Sequence, residues 1–175
     1  MEYTVSILSG LLTDGLEAKI GDVESYQGLL TDASHLLNNL AKVYRAQGNY
    51  GAALEYHGKA LEIREKVLGK EHPDTATTYN NMAIVYRAQG NYEAALEYYG
   101  KALEIKEKVL GKEHPATAAT YYNMGILFYS MKDFQKAEEY FRKALPIYEK
   151  VLGKDHPDTK DTKKALEIVR RNMKP

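Results

Sequence analysis

Tyr79, Met82, Ala83 and Tyr86 recur at i, i+3, i+4 and i+7, a spacing that lines them along one face of a helix. Gln89-Gly90-Asn91 ends that pattern with a glycine able to adopt positive φ. A second apolar stripe follows through Tyr92, Ala95, Leu96, Tyr99, Ala102, Leu103, Val109 and Leu110, with the aliphatic stem of Lys106 filling one step, and it stops at Gly111. The unit these patterns predict is a hairpin of two helices.

The hairpin is written three times. The 42 residues from Leu36 to Thr77 return from Thr78 to Ala119 with nine differences, and a looser copy runs from Thr120 to Asp161. Gly-Lys-acid-His-Pro begins at Gly69, Gly111 and Gly153, in register. A fixed period of this length predicts an all-α stacked array, in which each unit buries its face against its neighbours. The predicted pairs are 34–47 with 50–68, 76–89 with 92–110 and 118–131 with 134–152, closed by a helix over 159–173.

The linker prolines and Pro146 sharpen the picture. In the linker, proline suits the first helical turn, where its missing N–H leaves no bond unmade, and the preceding His72, His114 or His156 falls near the cap. Because Ala116 stands where Asp74 and Asp158 follow the proline, the cap cannot depend on that aspartate. Pro146 aligns with Glu62 and Glu104 inside a second helix and is expected to kink it or shift its register.

Beyond the three copies the pattern weakens. Ile7, Leu11, Leu12, Leu16, Ile20 and Val23 predict one or two helices, so 1–33 is expected to be a degenerate preceding unit or cap. Residues 34–157 hold the three repeats. Residues 158–175 form a capping helix, with Ala165, Leu166, Val169 and Met173 on one face and Lys163, Lys164, Arg170 and Arg171 elsewhere. The whole is expected to be one continuous domain.

Composition narrows the function. Lys and Arg number 24 and Asp and Glu 24, so there is no global field of the kind that draws nucleic acid or an anionic membrane. The lack of cysteine removes disulfides, thiolate chemistry and cysteine metal sites. No run approaches the roughly 20 apolar residues that span a bilayer, and no basic stretch precedes an apolar one as in a secretory signal. A soluble cytoplasmic protein is the expectation. Gly-Lys in the linker lacks the upstream glycine and the Ser or Thr of a phosphate loop. Glu62, Glu65, Glu104 and Glu107 alternate with Lys and Arg as a solvated face would. The linker histidines, one per unit, stand at least an interhelical spacing of about 8–10 Å apart, too far to share a metal. We therefore expect no enzyme, no cofactor and no metal.

Ala83 and Gly125, the Gly90-Asn91-Tyr92 turn, and Ala95, Tyr99 and Ala102 resemble the small and aromatic packing positions of tetratricopeptide repeats. That family's usual period is about 34 residues, eight short of the 42 here. Leu-Asn-Asn-Leu-Ala, Ala-Leu-Glu-Ile-Arg-Glu-Lys-Val-Leu-Gly-Lys and the His-Pro-Asp ending are similar to the 42-residue repeats of kinesin light chains, over about residues 34–161. The resemblance implies a right-handed superhelical array of helix hairpins, a tetratricopeptide-like α solenoid.

The resemblance also implies a concave groove on the first helices, formed by Asn38, Asn39, Lys42 and Arg45, then Asn80, Asn81, Ile84 and Arg87, then Tyr122, Asn123, Ile126 and Tyr129. An amide both donates and accepts, which suits it to hold the backbone of an extended peptide. The expected ligand is acidic, drawn to Lys42, Arg45 and Arg87, with an apolar or aromatic anchor near Ile126 and Tyr129. Repeated Asn and Arg could equally do no more than solvate an inner surface. Two classes of function follow: a scaffold or adaptor that binds a protein or peptide, without nucleic acid or membrane, or a module that self-assembles or dimerises through its ends.

Overall fold

A computed structural model describes residues 23–173. Seven helices follow one another: α1 (Val23–Ala46), α2 (Tyr50–Val67), α3 (Pro73–Ala88), α4 (Tyr92–Val109), α5 (Pro115–Ser130), α6 (Phe134–Val151) and α7 (Pro157–Asn172). No strand occurs among the described residues, and no helix there is long and apolar enough to cross a membrane. The fold is an all-α solenoid: α1 packs on α2, α3 on α4 and α5 on α6, while α2–α3, α4–α5 and α6–α7 contacts join successive units. First helices also touch one another, α1 with α3 and α3 with α5, making an inner layer.

The linkers fix where each helix starts. His72, His114 and His156 are N-caps, each accepting through Nδ1 from the backbone N–H two residues on, at 3.1, 3.1 and 3.2 Å. Because the acceptor is the imidazole, the cap survives at Ala116. Proline then opens the helix, earlier than the apolar periodicity predicts by three residues at Pro73 and Pro115 and by two at Pro157. The preceding helices end on Gly69, Gly111 and Gly153, whose φ values of 93°, 90° and 89° suit a residue without Cβ. Thr75, Thr117 and Thr159, fully buried, donate to the carbonyls of those glycines at 2.8 Å and lock each linker shut.

The hairpin turns use Asn49, Asn91 and Asp133 as N-caps, each side chain accepting from the backbone N–H three residues on. Gly48 and Gly90 supply the positive φ before them, but the third turn places Lys132 there, at φ 63°. A side chain in that region costs about 1–2 kcal/mol, part of which glycine gives back through its freer unfolded chain. Lys132→Gly is therefore expected to stabilise the protein by about 0.5–1 kcal/mol, seen as a raised urea midpoint at constant m-value. An unchanged midpoint would show that the turn is unstrained.

Two expectations are corrected. α1 begins at Val23, not at 34. No Gly-Lys-acid-His-Pro precedes it, and Tyr26, Leu30 and Leu37 continue its packing onto Ala60, Ile63 and Val67 of α2. The readings made for 1–22 lie outside the described residues. Pro146 does not shift the register of α6, which keeps the 18 residues of α2 and α4. Ala144 and Tyr148 are buried as Ala102 and Lys106 are one unit earlier. Pro146 and Arg142 both lie on the exposed face, where water can take up the carbonyl that proline leaves without a donor.

One interface position changes character from unit to unit. Arg64, Lys106 and Tyr148 are equivalent and all buried. The Arg64 guanidinium donates to Ser34 Oγ at 3.0 Å, to the Asp74 carbonyl at 2.7 Å and to Thr78 Oγ1 at 3.0 Å, and meets His35 Nδ1 at 3.0 Å. Lys106 reaches only the Ala116 carbonyl and Thr120 Oγ1, at 3.3 and 3.0 Å. Where the first unit has Ser34 and His35, the second has Ala76 and Thr77. Burial without a carboxylate partner pulls the Lys106 ammonium down to about 8.

Candidate functional site

The inner layer decides which of the expected groove residues are available. Asn39, Lys42 and Arg45 of α1 are exposed, and Lys42 Nζ donates to Asn39 Oδ1 at 3.4 Å. Asn81, Ile84 and Arg87 of α3 are half-buried, as are Tyr122, Asn123 and Ile126 of α5, while Tyr129 is 38% exposed. Asn38 and Asn80 are not on the open face. Asn38 is buried, its Oδ1 meeting His57 Nδ1 at 2.7 Å and its Nδ2 donating to Thr78 Oγ1 at 3.1 Å. Asn80 is buried too and accepts from Asn123 Nδ2 at 3.2 Å. These two amides tie neighbouring first helices together beneath the open face.

The equivalent residues of the second helices close the floor beneath them. His57, Tyr99 and Phe141 occupy one register and are almost fully buried. Burial, aided by Lys42, Arg45 and Arg64, pulls the His57 imidazole down to about 4, so it is neutral at pH 7. Phe141 lies against Gly125, where a Cβ would come within 2.7 Å of its ring, and tilts against Tyr122 at 5.4 Å between centroids. Tyr99 differs from both. Burial pushes its phenol up to about 12 against the opposing pull of Arg87 and Arg45. Its hydroxyl and Arg87 Nε, although neighbours, are outside hydrogen-bonding geometry, and both are buried without a partner among the described residues.

An apolar pocket of about 100 Å³ ends the groove. Ile126 and Tyr129 of α5, Phe141 of α6, and Ala165, Ile168 and Val169 of α7 line it. The sequence reading placed Ile126 and Tyr129 here but treated α7 only as a cap. It missed Ala165 and Ile168 as inner-layer residues. The signal was available, since these follow Asn123 and Ile126 by one period behind a full Gly-Lys-acid-His-Pro linker. α7 is the first helix of a fourth unit that has no second helix among the described residues.

Comparison with known proteins agrees with this architecture. The tetratricopeptide repeat family profile matches residues 32–108 and 80–150. No curated protein matches the sequence. Among solved structures, BtubC (BKLC) from P. vanneervenii is 28% identical over 90% of this chain and 68% of its own, with a TM-score of 0.72. The nearly identical TPR-like repeats of kinesin light chain type from Podosopora anserina are 25% identical over 80% of this chain and 67% of theirs, also at 0.72. The N-terminal domain of C. elegans stress-induced protein-1 shares the fold at 21% identity, covering 83% of this chain and 98% of its own with a TM-score of 0.57. With its three hairpins at a 42-residue period, the chain belongs to the tetratricopeptide repeat family and is of the kinesin light chain type.

Proposed function

We propose that this chain, a protein–protein interaction scaffold by its family, holds an extended acidic peptide along the inner faces of α1, α3 and α5. The observation that carries this reading is the apolar pocket between α5 and α7, open to the same face as the cations of the earlier units. In this reading one aliphatic or aromatic side chain of the ligand fills the pocket against Ile126, Tyr129 and Ile168. Acidic groups upstream meet Lys42, Arg45 and Arg87, the cations of the inner face. Asn39, Asn81 and Asn123 steady the backbone. The pocket sets affinity, because exposed ion pairs contribute only about 0–1 kcal/mol each. The arginines set the charge preference.

The test is a peptide array carrying acidic, neutral and basic segments with and without a central Leu, Phe or Trp. Wild type is expected to select acidic segments with an apolar residue. Ile168→Asp should weaken every such ligand by about tenfold or more, the scale of a lost buried anchor. Arg45→Glu with Arg87→Glu should lose acidic ligands and reverse the salt dependence. Equal binding of acidic and basic segments, or binding indifferent to both sets of variants, would overturn the groove reading in favour of assembly through the array ends.

A further inference from the structure

Leu36 and Val43 of α1 occupy positions that every later unit seals. One, two and three periods on, the equivalents are Thr78 and Val85, Thr120 and Leu127, and Thr162 and Val169, all between 0% and 1% exposed. They are covered because each later first helix packs on the second helix of the unit before it. On α1 the same positions are 51% and 52% exposed, and Leu29, seven residues before Leu36, is 56% exposed. Among the described residues no other helix carries more than one exposed large apolar side chain. A repeat of seven along one helix is the seam of a helix pair.

We propose that this seam pairs with α1 of a second copy, antiparallel about a two-fold axis through Leu36. Leu36 then meets Leu36 at the centre, and Leu29 meets Val43 of the second copy on either side. Charge favours this arrangement over a parallel one. Asp32 and Lys42 are both exposed on the same flank of the stripe, and the Lys42 amine has only the 3.4 Å bond to Asn39 Oδ1 among the described residues. In the antiparallel register Asp32 lies within about 3 Å, along the axis, of Lys42 of the second copy, whereas parallel helices would set Asp32 on Asp32 and Lys42 on Lys42. The array's other end cannot take the stripe instead. There Lys163, Glu167 and Arg170 of α7 replace Tyr121, Gly125 and Phe128 of α5, and Lys163 and Arg170 are already paired with Glu149 and Glu138 at 2.7 and 2.9 Å. A surface that complements itself makes an isologous contact, which closes at two copies and does not grow into a filament. The pocket between α5 and α7 stays free at the far end, so the pairing stands whether or not a peptide binds there.

Sedimentation of the full chain from about 1 to 200 μM should show a monomer passing into a dimer and no larger species, since an interface of this small size is weak. Leu36→Asp puts two carboxylates at the centre of the seam and should hold the protein monomeric over that range, with unchanged helical circular dichroism because the site is exposed in the single chain. Asp32→Lys or Lys42→Asp alone should weaken the dimer by about three- to tenfold, as each pair occurs twice, and the double exchange should restore it. The protein has no cysteine, so an equal mixture of Leu29→Cys and Val43→Cys chains should oxidise to a mixed disulfide that neither chain forms alone. A wild type that stays monomeric, or a dimer indifferent to Leu36→Asp, would overturn the proposal. Species beyond the dimer, a double exchange no better than the single ones, or Leu29→Cys bridging to itself in place of Val43→Cys would overturn it as well.

Discussion

Phe141→Ala is expected to lower stability by about 3–5 kcal/mol, the range for removing a buried phenyl ring from a packed core. The ring is 2% exposed and joins α5, α6 and α7 through Gly125, Met124 and Val169. The neighbours cannot close over the void, because Gly125 has no side chain to extend into it. In an array stabilised by nearest-neighbour contacts, the loss should be local. Hydrogen exchange should therefore speed up in α5, α6 and α7 while α1 to α3 keep their protection. The same variant removes one wall of the pocket, so peptide binding should fail even where the fold survives. A loss under about 1 kcal/mol would mean that the third unit does not hang on this ring.

The second large effect concerns pH. Lys106 holds its proton less tightly in the folded protein, at about 8, than in the unfolded chain, where a lysine keeps its ordinary value of 10.5. Between those values the unfolded chain binds the extra proton, so stability rises with pH across the window. Below pH 8 the ammonium is charged in both states and the full penalty of burying it is present. The complete difference corresponds to about 3 kcal/mol at about 1.4 kcal/mol per unit. Not all of it is realised. Tyr79, Tyr99, Tyr121 and Tyr148 are all held above their usual range, chiefly by burial, so above about pH 10 the unfolded chain ionises its tyrosines first and stability turns down. Urea midpoints should therefore climb from pH 8 to about 10 and then fall. Lys106→Met should be flat over that climb and more stable than wild type at pH 7.5. Thr120 also donates to the Ala116 carbonyl, so removal of the amine strands no acceptor. A wild-type midpoint that does not move between pH 8 and 10 would show that Lys106 is solvated after all.

Much of this architecture is legible in the chain because repetition removes ambiguity. A helical stripe read once is weak evidence, but Tyr86, Phe128 and their turns at one period cannot be coincidental, and the linker prolines mark starts only two or three residues ahead of the apolar pattern. The site is less legible for a geometric reason. Asn38 and Asn39 are about 100° apart around one helix, and which of them faces the groove depends on the rotation of α1 against α3. That rotation is set by Thr78, which draws the Asn38 amide inward, a contact across 40 residues that no local pattern announces. The extension of α1 back to Val23 escaped for the opposite reason. It has no partner copy with which to be compared.

The graded Arg64, Lys106, Tyr148 position gives the array a direction of growth. A unit carrying Lys106 asks nothing of its own first helix beyond Ala76, and it docks on a threonine and a carbonyl that the next unit also provides, so further copies of the second unit could be inserted in series. The first unit's arginine, by contrast, cannot be moved alone. It depends on Ser34 and His35 of its own first helix, and put in place of Lys106 it would face Ala76 and Thr77 with a charge that never titrates away. Lengthening this protein by duplication therefore has to carry each second helix together with its own first helix.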